Sequence, residues 1–245
     1  MKILVCISKT PDTTAKISFT DDQKFNASGV QFIMNPYDEW YALVKALEIQ
    51  ESAGGTVTLI NVGGADNETI IRKGLAIGAE KAVRINAEPT SSMFTAYQIA
   101  EYAKAEGFDL IFTGKETIDF NAAEVGAMIA EYLDMPYVSF ANAMTLAGST
   151  ATISCEIEGG TETVEVNMPV VVSAAKGLAE QRIPNMRGIM MAKTKPLEVK
   201  EPAAFSENVV TKHFDLPAPK SAVKMIDADN MDELVRLLHE EAKVI

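Results

Sequence analysis

Catalytic chemistry is poorly provided for in this chain of 245 residues. It has no H-E-x-x-H pair, no clustered Cys and His, and no G-x-S-x-G nucleophile turn. Its only histidines, His213 and His239, lie late in the chain, so metal-assisted and His-based nucleophilic catalysis lack their residues. Anion binding is better provided for. In a doubly wound α/β sheet, ligands sit beyond the carboxyl ends of strands, where the first turns of helices present free N–H groups. Three stretches fit such edges: Cys6-Ile7-Ser8, Val62-Gly63-Gly64, and the run from Gly114 through Lys115, Asp119, Phe120, Asn121, Ala122, Ala123, Glu124 and Val125 to Gly126. Glycines at the second would admit a nucleotide close to the backbone, although a simple turn is the favoured explanation of Gly-Gly alone. In the third, Asn121 is expected to cap a helix, Ala122 and Ala123 to leave its first N–H groups accessible, and Lys115 to supply positive charge. Glu124 opposes a phosphate there, and a capped surface helix is the competing reading.

The elements that must hold these edges follow from the apolar pattern. Ile3 to Ser8 reads as a strand buried on both faces. Asn35-Pro36-Tyr37-Asp38 predicts a helix start, with Asn35 as cap, Pro36 in the first helical position and Asp38 in the first turn; the helix ends before Gly54. Strands are then expected at 56–62, 81–86 and 109–113, and helices at 66–77, 90–106 and 122–133, linked by right-handed crossovers. After residue 140 the rhythm becomes that of antiparallel strands turning at Glu158-Gly159-Gly160. Regular periodicity fades after Lys176 among scattered prolines, which predicts an extended arm ending in an amphipathic helix over 232–245.

Charge divides the chain. Its net −12 disfavours nucleic acid and anionic membranes as partners. Residues 176–196 reverse the sign, with five basic side chains against Glu180. Interleaved with those charges are Leu178, Ile183, Met186, Ile189, Met190 and Met191, an adaptable apolar set of the kind that grips partners. Cys6 and Cys155 lie far apart in apolar surroundings and read as buried thiols of a reducing compartment. No apolar run near the N-terminus has the length of a signal or membrane span, so a cytoplasmic location is expected.

Several of these stretches together resemble the β subunit of electron transfer flavoproteins, over essentially the whole chain. The most specific is Glu158-Gly159-Gly160-Thr161-Glu162-Thr163-Val164, followed after four residues by Pro169-Val170-Val171-Val172-Ser173; Cys155 departs from the family's usual basic residue. Met34 to Asp38, Gly114-Lys115 with Ile118-Asp119, Val125-Gly126, and Ile189 to Pro196 also match. The resemblance implies an α/β, doubly wound, mainly parallel Rossmann-like domain over residues 1–175 with a β-hairpin, a partner-recognition loop at 176–196, and an arm and helix at 197–245 that embrace an α subunit. It implies an electron carrier subunit rather than an enzyme. The redox FAD would lie mainly on the α subunit, with AMP or a second FAD on this chain. Expected nucleotide contacts are Cys6, Ser8, Asn35 to Asp38, Val62-Gly63, Ser92, Thr95 and the Gly114 to Gly126 loop. The recognition loop, with Arg182, Ile183, Pro184, Asn185, Met186 as anchor, Ile189 and Met190, would dock a partner dehydrogenase. Relatives that bifurcate electrons tend to have Asp-Thr-x-x-Thr near residue 92 and Asp-x-x-Gln in the phosphate loop, where this chain has Ser91-Ser92-Met93-Phe94-Thr95 and Asn121-Ala122-Ala123-Glu124. AMP and FAD both remain open on those residues. Two further readings are a stand-alone adenine nucleotide hydrolase or ligase, against which Ser8-Lys9-Thr10-Pro11-Asp12 lacks the required phosphate loop, and a nucleotide-sensing module without redox function.

Overall fold

Ile3, Leu4 and Val5 have no exposed surface, because the strand that carries them runs through the middle of a sheet covered on both faces. The computed structural model describes residues 1–220 and 222–245. In chain order its elements are β1 (Lys2–Cys6), β2 (Lys9–Pro11), β3 (Phe32–Met34), α1 (Asp38–Ala53), β4 (Thr56–Val62), α2 (Glu68–Ile77), β5 (Lys81–Ile85), α3 (Ser92–Glu106), β6 (Leu110–Gly114), α4 (Val125–Leu133), β7 (Tyr137–Ala147), β8 (Thr150–Ile157), β9 (Gly160–Asn167), β10 (Val170–Ala174), α5 (Met186–Ala192), β11 (Leu197–Lys200) and α6 (Met231–Arg236).

Nine strands form one sheet in the order β11-β5-β4-β1-β6-β10-β7-β8-β9. From β11 to β7 every pairing is parallel, while β7, β8 and β9 are antiparallel. This is a doubly wound α/β fold. Side chains alternate between its two faces as the twofold period of a strand requires. Ile3, Val5, Leu59 and Phe112 join Leu43, Ile70 and Leu75 from α1 and α2 in one core. Leu4, Ile60 and Ile111 join Ile99 and Ile129 from α3 and α4 in the other. The chain order reverses between β1 and β6, which places a crevice beyond their carboxyl ends.

Three local expectations are corrected. Asn35 is not a helix cap: it is wholly buried, and α1 starts at Asp38 after Tyr37 at φ 65°. The first i to i−4 bond of that helix runs from Tyr41 N–H to the Tyr37 carbonyl at 2.8 Å. Asn121 is likewise no cap, because Asn121 (φ 51°) and Ala123 (φ 56°) are both left-handed and delay α4 until Val125. Left-handed backbone costs a residue with a Cβ roughly 1–2 kcal/mol, so Ala123 is strained. The stretch after residue 176 also holds more regular structure than its fading periodicity predicts. It supplies α5, and it supplies β11, which pairs parallel with β5 and extends the sheet edge.

The chain divides into two compact units. The larger holds residues 1–17 and 26–212, and the smaller holds residues 18–25 and 213–245. In the smaller unit, the Phe19 and Phe214 rings stack at 5.4 Å and Phe214 N–H donates to the Gln23 carbonyl at 2.9 Å. Its helix α6 is capped by Asn230 and passes into a π-helical turn at Leu237–Ala242, which shifts the apolar stripe expected of a regular helix.

Phe112 is fully buried under α1. Replacing it by Ala should lower unfolding free energy by about 3–5 kcal/mol, read from the midpoint of denaturant unfolding.

Candidate functional site

Beyond the β1 and β6 ends the chain is tied together by polar side chains. Ser8 leaves β1, and its N–H donates to Glu39 Oε2 at 2.7 Å while its hydroxyl is hydrogen-bonded to Glu39 Oε1. The Ser8 carbonyl accepts the Asn35 N–H at 3.0 Å. The Asn35 side chain then spans to the loop after β6, donating to the Glu116 carbonyl at 3.0 Å and accepting the Ile118 N–H at 3.0 Å. One buried amide thus satisfies two backbone groups of a loop that has no regular structure of its own. Gly114 fits this junction because a Cβ there would stand 2.9 Å from Glu39 Cγ and 3.3 Å from the Glu39 backbone nitrogen.

A cleft of about 500 Å³ opens on this junction, lined by Pro36, Tyr37, Asp38, Tyr41, Lys115, Glu116, Ile118, Asn121 and Lys176. Its size falls in the roughly 300–1,000 Å³ range of small-molecule sites. Tyr37, 57% exposed, presents its ring to the opening, and Phe120, 68% exposed, stands out of the same loop. An exposed aromatic face is what a purine or flavin ring stacks on. Lys115 Nζ pairs with Glu116 at 3.0 Å, a contact that raises its ammonium above the ordinary lysine range. Burial raises the Asp38 carboxyl, and Lys115 offsets part of that rise.

Glu39 is the unexpected member. It is 5% exposed, and burial pushes its carboxyl up to about 8 against the lowering effect of the two Ser8 hydrogen bonds, with Asp119 and Asp38 adding to the rise. Burial, with Glu39 second, also raises the Cys6 thiol, so Cys6 is a protonated wall rather than a reactive group. The sequence signal for Glu39 was present: an acid in the first turn of an otherwise apolar helix, one residue past the Asn35-Pro36-Tyr37-Asp38 stretch. Tyr41, one turn beyond Tyr37, and Lys176 were also missed as nucleotide contacts, while Glu116 and Ile118 lie within the expected Gly114 to Gly126 loop.

The other expected edges stand differently. Gly63 is pressed against Asn67, whose Nδ2 would lie 1.8 Å from an added Cβ. Its N–H donates to the Ile85 carbonyl at 3.0 Å, and its own carbonyl accepts the buried Arg84 guanidinium at 3.0 Å. Val62 is buried beside it, so this edge is already engaged by protein groups. Asn61 connects it to β1 by donating to the Ile7 carbonyl at 2.9 Å. Ser92 and Thr95 are not among the cleft's lining residues. They belong to the start of α3, where Ser91 caps the helix by accepting the Phe94 N–H at 2.9 Å and Thr95 donates back to the Ser91 carbonyl at 2.9 Å. The Glu207 carboxylate accepts hydrogen bonds from Thr90 and Ser91 at this end, holding the following arm against α3. In the Lys115 loop, Asn121 lines the cleft, while Ala122 and Glu124 are exposed and Gly126 is packed against Thr113 and Tyr137.

The basic stretch is only partly free. Arg182 forms a two-pronged pair with Glu51 at 2.7 and 3.2 Å, and its carbonyl accepts Trp40 Nε1–H at 3.0 Å. Lys195 donates to the carbonyls of Leu75, Gly78 and Ala79, capping the end of α2. Arg72 of α2 reciprocates by donating to the carbonyls of Ala192 and Lys195 at 2.8 and 2.7 Å. Gly188 lets α5 lie directly on α2, since a Cβ there would be 2.4 Å from the Ala76 carbonyl oxygen. Ile183, Met186 and Met190 project outward, 81%, 74% and 68% exposed, with Ile189 and Met191 beside them. Asn185 caps α5 by accepting the Gly188 N–H at 2.8 Å, and Pro184 stands just before it. Among the described residues, no group of three His, Cys, Asp or Glu is placed to hold a metal ion, and no helix is long and apolar enough to cross a membrane.

Comparison with known proteins agrees with this architecture. The family model for the electron transfer flavoprotein domain matches residues 23–205. The chain is 36% identical over 260 residues to the electron transfer flavoprotein subunit beta of Bacillus subtilis, with all of both chains covered. It is 35% identical over 224 residues to that of Syntrophomonas wolfei, covering 91% of this chain and 88% of the relative. With the human subunit beta it shares 29% over 253 residues, covering all of this chain and 99% of the other.

Removing the Asn35 amide by an Ala substitution leaves the Glu116 carbonyl and the Ile118 N–H without their partner. The expected loss is about 1–3 kcal/mol. Amide exchange should accelerate in residues 115–121 ahead of the β1 and β6 amides; uniform acceleration across both would count against a local clamp.

Proposed function

The chain belongs to the electron transfer flavoprotein family, among its β subunits, and from that premise we propose that it pairs with an α subunit and supports FAD-mediated electron transfer between a partner dehydrogenase and an acceptor. The relatives' own designation as subunit beta supports the pairing. In this role the chain is a carrier subunit rather than a catalyst. The flavin supplies the redox chemistry, while this chain supplies binding, orientation and shielding.

The observation that carries the reading is the cleft. It is assembled from the Asn35 to Asp38 turn and the Lys115 to Asn121 loop, two stretches that match the family and are held together by the Asn35 amide. We assign it to an adenine nucleotide, either AMP or the adenylate part of a second FAD. Tyr37 offers a ring face, Lys115 and Lys176 offer positive charge, and the loop offers backbone donors. The acids Asp38 and Glu116 balance the two lysines, which favours a ligand whose ring provides much of the binding.

The apolar side chains of Ile183, Met186 and Met190 are the proposed docking surface for the dehydrogenase. Met186 and Met190 on a helix that is itself fastened to α2, with Ile183 just before it, give a partner a preformed anchor, which lowers the entropy lost on docking.

Two measurements check the reading. Flavin and AMP extracted from the co-purified αβ pair should show either about two FAD, one of them reducible by NADH, or one FAD with one AMP; absence of any adenine nucleotide beyond the α-subunit FAD would remove the assignment of the cleft. Replacing Met186 by Ala should lower kcat/KM for electron acceptance from the dehydrogenase by about tenfold, a loss near 1.4 kcal/mol typical of an interface anchor, with nucleotide content unchanged. Equal loss of both would place Met186 in the fold rather than in docking.

A further inference from the structure

The two carboxylate oxygens of Glu39 are used within the protein in a way that the binding of a nucleotide does not require of an ordinary surface acid. One accepts the Ser8 N–H and the other meets the Ser8 hydroxyl. The groups around it are Cys6 and Ser8 at the end of β1, Asp38 on its own helix, Asp119 in the loop after β6, and the backbone of Gly114. Among these there is no cation. The two lysines of the site, Lys115 and Lys176, line the cleft outside this pocket, and Lys115 is engaged with Glu116. A charged Glu39 would therefore add a buried negative charge with no cation beside it, against Gly114 and next to the Asp38 edge of a cleft proposed to take an anion.

The hydrogen-bond pattern changes with the proton. When Glu39 is ionised, both of its oxygens only accept, and the Ser8 hydroxyl must donate to one of them. When it is neutral, the acid O–H can donate to Ser8 Oγ, which frees the Ser8 hydroxyl proton to turn away from Glu39. The second oxygen still accepts the Ser8 N–H, so the backbone clamp survives in both states. The proton thus alters what Ser8 presents to the crevice without dismantling the path from Ser8 through Asn35 to the Glu116 loop.

We propose that Glu39 is a positioning residue for nucleotide binding that acts in its protonated form, leaving the Ser8 hydroxyl free to donate elsewhere and adding no charge behind the Asp38 and Gly114 edge of the cleft. This rests on the assignment of the cleft to an adenine nucleotide. It makes binding proton-linked: the complex requires the neutral acid, so affinity is full below the carboxyl's value in the free protein, about 8, and is lost as pH rises above it. Nearby groups do not mask the window. Burial and Glu39 raise the Cys6 thiol, the pairing with Glu116 raises the Lys115 ammonium, and a nucleotide monophosphate, with a second ionisation near ~6, is already a dianion.

The test is titration of AMP into the full chain in the complex with which it purifies, stripped of nucleotide, from pH 6.5 to 9.5. Wild-type Kd should be level to about pH 8 and then rise about tenfold per pH unit, the slope for one linked proton. Glu39→Gln, whose amide can donate to Ser8 Oγ and accept its N–H, should hold at pH 9 the affinity that it shows at pH 7. A level wild-type profile, or an equal slope in E39Q, overturns the proposal while leaving the nucleotide site standing. Failure to bind AMP or FAD at any pH overturns the site itself and the proposal with it. Should E39Q not fold, calorimetry of the wild type at pH 8.5 in two buffers of different ionisation enthalpy decides the matter: uptake of about 0.8 proton per AMP is expected from one group titrating near 8, and no uptake overturns it.

Discussion

A wholly buried amide governs how the carboxyl end of this sheet is organised. Asn35 joins three pieces of chain that the sequence separates widely: the exit of β1 through Ser8, the entrance to α1, and the loop after β6 through Glu116 and Ile118. Without it the loop would have to satisfy its buried backbone groups by itself, which an irregular segment can do only by turning them to water. The cleft exists because the loop is held away from such a collapse. Its two walls, Pro36 to Tyr41 and Lys115 to Asn121, are the two segments that the amide connects.

That amide can act only on a rigid base. β1 contributes Ile3 and Val5 to one core and Leu4 and Cys6 to the other, so a one-residue slip of register would exchange the cores and carry Ser8 out of reach of Glu39. Parallel pairing with β4 and β6 on either side prevents it. Asn61 adds a second tie by donating to the Ile7 carbonyl, so the edge of β4 is referenced to the same strand. The polar network therefore inherits its precision from apolar packing a few residues earlier in each strand.

Much of the fold was legible because its signals are periodic. Thr56 to Val62 was read with its observed bounds, and the helices ending near residues 53, 77, 106 and 133 were placed to within a few residues at their starts. What escaped was local and polar. Asn35 and Asn121 both look like helix caps by residue type, yet one is drawn into the core by a loop 81 residues away and the other adopts a left-handed conformation. Capping rules weigh only neighbours along the chain, so a distant backbone N–H that takes the side-chain oxygen in place of a helix N–H, as Ile118 N–H takes Asn35 Oδ1, leaves no trace in them. Glu39 escaped for a related reason: an acid in the first turn of a helix ordinarily serves the dipole at the surface, and only the three-dimensional position of Ser8 shows that this one is buried. β11 was obscured by the prolines that flank it, which an edge strand tolerates.

The positive stretch at 176–196 shows how a charge pattern can carry two meanings at once. Its excess of cations first reads as a surface signal, but Lys195 is an internal cap for α2 and Arg182 is bound to Glu51. A lysine directed at the last carbonyls of a helix meets the negative end of the dipole, and the arginine fork fits a carboxylate, so both charges are spent on fixing this segment. Arg187 and Lys193 remain exposed beside the outward Ile183, Met186 and Met190. Fixing and display are then two parts of one arrangement. Lys195, Arg72 and Gly188 set α5 on α2, and only a helix so held can keep flexible methionine side chains over a defined patch. A docking surface built this way spends its conformational freedom in the side chains, where adaptability to a partner is useful, and retains none in the backbone that carries them.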